Sequence, residues 1–181
     1  MKLWVTLRDA VIGWGLLLAG RPGWRERFSL SPPGLVTALG LLVVAALLAV
    51  SVAAVDYGLP SIPALIAGLI VLMIPVAALV LALWVTRKAV GGLDSRPDVL
   101  VPAIFLIIAF VPLEGVLAAL VGGPVVMVSW LALGYGYFRL ARAATAWSRG
   151  VSASFAILAV LMLVVMRIAL YIVSNPPGSP I

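Results

Sequence analysis

The sequence predicts an all-α integral membrane protein with five transmembrane helices, and three observations support this fold class. Of the 181 residues, 65% are hydrophobic and only 10% are charged, whereas soluble domains are about half apolar and a quarter charged. Five apolar runs are each long enough to cross a bilayer, which takes about 20 residues. The basic residues between these runs cluster on one side. A soluble globular protein is therefore excluded.

Charged residues and helix breakers set the limits of the five predicted spans. The first span follows the breaker Ser31-Pro32-Pro33-Gly34, and the last stops at Ser174-Asn175-Pro176-Pro177. The predicted spans are residues 35–55, 62–86, 99–121, 124–147 and 151–173. They follow a basic cytoplasmic segment, residues 1–34, and precede an external tail, residues 174–181.

The distribution of Lys and Arg predicts the orientation. Eleven of the twelve fall on one side of the five-span arrangement, and the opposite loops and the tail contain none. By the positive-inside rule the N-terminus is cytoplasmic and the C-terminus is outside. Arg outnumbers Lys ten to two, and Ala, Val, Leu, Gly and Pro dominate, which is typical of a GC-rich bacterial genome. The predicted location is therefore a bacterial inner membrane.

Residues 3–19 predict an amphipathic helix that lies in the cytoplasmic interface. Leu3, Trp4, Leu7, Val11, Trp14 and Leu18 share one face of the helix, and Lys2, Thr6, Asp9 and Gly13 lie opposite. Trp4 and Trp14, with Trp24 in the following turn, are predicted interfacial anchors. This helix either binds lipid or packs on the rim of the helix bundle.

Basic residues near the predicted interface are candidate contacts for anionic lipid headgroups. They are Arg21, Arg25, Arg27, Arg87, Lys88, Arg139 and Arg142. For the arginines that end the fourth span, a simple interface anchor with snorkelling side chains is the favoured interpretation, and a headgroup site is the alternative. The net charge of +6 does not indicate nucleic acid, because no polar segment combines basic and aromatic residues. The expected partners are the bilayer with its anionic lipids, and a membrane protein or a second copy of the chain.

Two ionisable residues are predicted inside the hydrocarbon, at similar depth: Glu114 in the third span and Arg167 in the fifth. A lone charge in hydrocarbon is costly, so the two are predicted to form an intramembrane charge pair. The pair is either structural or part of a proton or ion relay. Pro75 and Pro112 lie within spans and predict helix kinks that serve packing.

The chain lacks His and Cys, which excludes imidazole bases, thiolate nucleophiles and the usual zinc ligands. We find no paired carboxylates and no Gly-rich phosphate loop. No catalytic residue, metal site or cofactor is therefore predicted, and the protein is not expected to be an enzyme.

Several weak motifs accompany the five spans: Pro22 with Trp24, Gly91-Gly92 followed by Ser95, and Pro112 in the third span. With the short N-terminal helix, they resemble the bacterial branch of the Yip family, small five-span proteins named for relatives that interact with Ypt/Rab GTPases. The resemblance implies a membrane-organising or partner-binding adaptor. The alternative is a small transporter or channel subunit that uses Glu114 and Arg167.

The predicted topology can be tested with reporter fusions. A reporter that is active only outside the cell should work after Ile181 and fail in the loop around Ser95, because the basic loops remain inside. The reverse pattern, or both fusions reporting on one side, would contradict the five-span arrangement.

Overall fold

The computed structural model describes residues 2–53, 61–90, 97–121 and 123–174, and these residues form an all-helical bundle. Its helices are α1 (Lys2–Leu18), α2 (Pro32–Ala53), α3 (Ile62–Val90), α4 (Pro97–Val121), α5 (Gly123–Ala144) and α6 (Arg149–Ser174), with a 3₁₀ turn at Arg25–Arg27 between α1 and α2. Four of them, α2, α3, α4 and α6, are long and apolar enough to cross a membrane. The chain is therefore a multi-pass membrane protein by length and composition.

The five helices α2 to α6 pack as a closed ring in the order α2, α4, α5, α6 and α3. Each contributes a large residue with almost no exposed surface to a common core: Leu42, Leu79, Ile104, Leu140 and Phe155. Because α5 lies between α4 and α6, the two helices that carry Glu114 and Arg167 are held together through it.

The start of α2 differs from its predicted limit. The helix begins at Pro32, three residues before the predicted start at Leu35. The Ser31 hydroxyl accepts a hydrogen bond from the Gly34 amide at 3.2 Å, and the Ser31 carbonyl accepts one from the Leu35 amide at 2.9 Å. Proline suits a first helical turn, where its missing N–H would have no helical partner. The predicted breaker is therefore the capped first turn of the helix.

The other helix limits differ by up to four residues. Helix α3 continues to Val90, and α5 ends at Ala144, three residues before its predicted end. The segment after α5 turns back because Arg142 donates to the Trp147 carbonyl at 2.8 Å. Pro75 lies inside α3 and Pro112 inside α4, and both helices continue on either side of their proline.

Helix α1 lies against one end of the bundle, where it contacts α4 and α5. Its buried stripe is Ala10, Trp14 and Leu17. The Trp14 indole donates a hydrogen bond to the Pro102 carbonyl of α4 at 2.9 Å. The ring of Phe28, from the turn that follows, packs where Gly13 has no side chain.

This packing corrects two of the three predicted interfacial anchors. Trp14 and Trp24 are 8% and 7% exposed and belong to the core, whereas Trp4 is 76% exposed. Helix α1 is apolar on more than one side, so a single-face projection could not separate its two apolar surfaces. One surface docks on the bundle. The other remains uncovered, with Leu3, Trp4, Val11 and Leu18 exposed.

Some features predicted from the sequence lie outside the described residues. These are the Gly91-Gly92 loop, Ser95, and residues 175–181 of the predicted tail.

Gly34 is expected to be essential to the turn before α2. A Cβ there would lie 1.8 Å from the Ser29 carbonyl oxygen, whereas a Cβ at Gly40 of the same helix meets nothing within 4 Å. We expect Gly34→Ala to destabilise the protein by about 1–3 kcal/mol and Gly40→Ala to stabilise it by up to ~1 kcal/mol. Thermal unfolding in detergent measures both, and equal effects would contradict this account of the turn.

Candidate functional site

The end of the bundle that carries α1 contains a cavity of about 730 Å³. Its lining comes from the end of α1 and the following turn, from the last turns of α5, and from the start of α6. Four arginines contribute to it: Arg21, Arg139, Arg142 and Arg149. We call this cavity the basic pocket.

Two of these arginines are fixed by hydrogen bonds to backbone carbonyls. Arg139 donates to the Leu17 carbonyl at 3.0 Å, which ties α5 to the end of α1. Arg142 donates to the Trp147 carbonyl at 2.8 Å. A guanidinium has five N–H donors, so each keeps donors for a further acceptor. Arg21 and Arg149 are exposed on the same cavity.

No carboxylate is among the residues that line the basic pocket. The nearby acid Asp98 instead accepts a hydrogen bond from Arg25 at 2.8 Å. Arg25 also donates to the Ala144 carbonyl at 3.0 Å, so it joins the turn after α1 to α4 and α5. The positive charge of the pocket is therefore not balanced by an acidic residue of its lining, and the pocket can bind an anion.

The structure divides the predicted headgroup contacts into groups. Arg21, Arg139 and Arg142 line the basic pocket, whereas Arg25 connects helices. Arg27, Arg87 and Lys88 do not line it, and Lys88 lies 4.2 Å from the centre of the Trp84 ring. Sequence reasoning omitted Arg149 from these contacts. Its position on the basic side, just before the fifth span, is the signal that could have included it.

The structure brings Glu114 and Arg167 together in an ion pair between α4 and α6. The two terminal nitrogens of Arg167 donate to the two carboxylate oxygens of Glu114, at 3.1 and 2.8 Å. The side chain of Glu114 is only 17% exposed and that of Arg167 only 22%. This bidentate geometry is the strongest form of a guanidinium–carboxylate interaction. It neutralises both charges where an isolated charge would be costly.

Trp130 of α5 is a third member of this cluster, and sequence reasoning missed it. Its indole N–H donates to Glu114, and the Arg167 guanidinium carbon lies 5.5 Å from its ring centre. Glu114, Trp130 and Arg167 each lie about two turns, roughly 10 Å, from the end of their helices opposite the basic pocket. Comparing helix depths across α4, α5 and α6 could have identified Trp130.

The ion pair contributes to the lining of a second cavity, of about 670 Å³, in the half of the bundle away from α1. Its other lining residues are mostly apolar and come from α2, α3, α4 and α6, among them Val50, Val71, Leu72 and Leu170. Because the pair is neutral as a unit, the cavity does not present the excess positive charge of the basic pocket.

Comparison of the chain with protein-family models, with curated proteins and with solved structures finds no match.

We expect Glu114 and Arg167 to act as one structural unit. Glu114→Leu or Arg167→Leu alone should destabilise the protein by about 3–5 kcal/mol, because each leaves an unpaired charge in a low dielectric. The double substitution should cost less than the sum of the two. A double-mutant cycle of thermal unfolding in detergent measures this coupling.

The control for this cycle is Arg8→Gln, which removes an exposed partner of Asp9 at 3.4 Å and should have little effect. Additive costs for the two leucine substitutions would contradict a coupled pair.

Proposed function

We propose that the protein is a non-enzymatic membrane-organising protein that gathers anionic lipid at the cytoplasmic face of a bacterial inner membrane. The basic pocket is the observation that supports this function. It combines four arginines from three parts of the chain, and no carboxylate lines it. A phosphate group of a lipid would supply the missing negative charge.

The proposal places this pocket on the cytoplasmic side. The basic residues outside the spans lie in the N-terminal segment, at the end of α3, at position 96 just before α4, at the end of α5 and at the start of α6. The positive-inside rule assigns their side to the cytoplasm. The C-terminus then lies outside if α5 also crosses the bilayer. Its 22 residues, about 33 Å of helix, and its place between α4 and α6 support a fifth span.

Helix α1 contributes the second element of the proposed function. Its uncovered surface presents Leu3, Trp4 and Val11, which are 60%, 76% and 73% exposed. Apolar side chains in this position would enter the acyl boundary while the helix lies in the interface plane. Lipid acyl chains would contact α1, and their headgroups would lie next to the basic pocket.

We also propose that the chain has the Yip-like architecture expected from the sequence, which is compatible with a membrane-organising role. Its support in this chain is the short N-terminal helix followed by a bundle of five long helices. A membrane-organising protein of this kind would bind other membrane proteins or a second copy through its lipid-facing helices.

A transporter or channel subunit is the second candidate. The cavity of about 670 Å³ beside Glu114 and Arg167 favours it, because ionisable groups within spans can mark ion pathways. This alternative requires proton or ion flux in proteoliposomes that Glu114→Gln abolishes. The membrane-organising function requires no flux.

The proposed function predicts that anionic lipid stabilises the purified protein. Saturating phosphatidylglycerol should raise the unfolding temperature by about 5–10 °C relative to phosphatidylcholine. High salt should reduce the difference, because part of the binding is electrostatic. Thermal unfolding in mixed micelles measures both effects.

The test variant and its matched control each remove two positive charges. Arg21→Gln with Arg149→Gln changes the basic pocket, whereas Arg87→Gln with Lys88→Gln changes basic residues that do not line it. We expect the first pair to lose most of the stabilisation and the second pair to keep most of it. Equal stabilisation by the two lipids in the unsubstituted protein would overturn the proposed function.

A further inference from the structure

The basic pocket holds more positive charge than one phospholipid headgroup can balance. Four arginines line the cavity, and the residues that line it include no acid. A phosphodiester headgroup such as phosphatidylglycerol carries one negative charge. A single lipid of this type would leave most of the positive charge of the pocket without a counterion.

The arginines also fall into two pairs with different surroundings. Arg139 and Arg142 are held by the carbonyls of Leu17 and Trp147, so their guanidinium groups are already oriented. Arg21 and Arg149 donate no side-chain hydrogen bond within the described residues, and both are exposed at the cavity, as is Arg142. The two held arginines and the two others together provide donors for more than one phosphate group, since each guanidinium can form a fork-shaped contact with phosphate oxygens.

The size and remaining lining of the pocket point to a lipid. Its volume of about 730 Å³ falls in the range of cavities that enclose drug-sized molecules, and exceeds what one phosphate group needs. Phe138 provides apolar surface beside the arginines. Leu18, the last residue of α1, is 43% exposed and continues the apolar surface away from the pocket.

We propose that the basic pocket is a site for a lipid with two phosphates in one headgroup, as in cardiolipin, with two arginines for each phosphate. This inference rests on the proposed function and makes it more specific, because it names the lipid class that the pocket selects. The headgroup brings two negative charges into one cavity without requiring two lipid molecules to lose their mobility. Its acyl chains would extend along the uncovered surface of α1.

The test compares cardiolipin with phosphatidylglycerol at equal total phosphate, using the full chain in phosphatidylcholine nanodiscs. Lipid affinity is measured by titration and native mass spectrometry. We expect cardiolipin to bind at least about tenfold more tightly per molecule, because both phosphates engage the pocket. Arg21→Gln with Arg149→Gln should remove this preference, and Arg87→Gln with Lys88→Gln should preserve it.

Three outcomes would overturn the inference. The first is equal binding of the two lipids at equal phosphate. The second is a cardiolipin preference that the Arg21 and Arg149 substitutions leave unchanged. The third is full displacement of cardiolipin by equimolar pyrophosphate, which would make the pocket a site for a soluble anion. If the two anionic lipids bind equally but both still stabilise the protein relative to phosphatidylcholine, the cardiolipin inference fails and the proposed function stands. Failure of the inference is therefore distinguishable from failure of the proposed function.

Discussion

The hydrogen bond from the Trp14 indole to the Pro102 carbonyl anchors α1 on the bundle, and the arrangement of the basic end depends on it. Pro102 belongs to α4, which lies between α2 and α5 in the ring. With Trp14 fixed there, the end of α1 reaches α5, and Arg139 can donate to the Leu17 carbonyl. The turn that follows then brings Arg21 to the same cavity as Arg142 and Arg149. The basic pocket is thus a product of helix docking, since its residues are distant in the sequence.

Charges are balanced differently at the two ends of the bundle. At the opposite end, Glu114 and Arg167 neutralise each other, and Trp130 donates to the same carboxylate. A matched charge pair can be buried because each group replaces part of the other's lost hydration. At the basic end, two arginines of the pocket, Arg139 and Arg142, are held by carbonyl groups, which orient a guanidinium without cancelling its charge. The charges of the first cluster balance without a ligand, although the buried Arg167 Nε has no hydrogen-bond partner among the described residues, whereas the second cluster gains most from an added anion.

Much of the helical organisation could be predicted because apolar length and charge placement are properties of the sequence itself. The start of α2 and the end of α5 were harder to predict from the sequence. The first depends on the Ser31 cap and the second on the contact from Arg142 to Trp147. Equal depth predicted the meeting of Glu114 with Arg167, and the same argument extended to α5 would have included Trp130. The burial of Trp14 could not be derived from periodicity, because α1 is apolar on more than one surface, and the burial of Trp24 depends on how the turn after α1 packs. Which arginines share a cavity required the docked position of α1.

The proposed lipid-binding site depends on the docking of α1, and native mass spectrometry of the protein purified from its membrane tests this dependence. Trp14→Ala removes the donor that anchors α1 without changing any charge, and Trp4→Ala removes an exposed tryptophan from the same helix. We expect the unsubstituted protein and Trp4→Ala to retain a bound anionic phospholipid, and Trp14→Ala to lose it. Retention by Trp14→Ala at the level of the unsubstituted protein, or no retained anionic lipid in any of the three, would show that α1 docking does not create a lipid site.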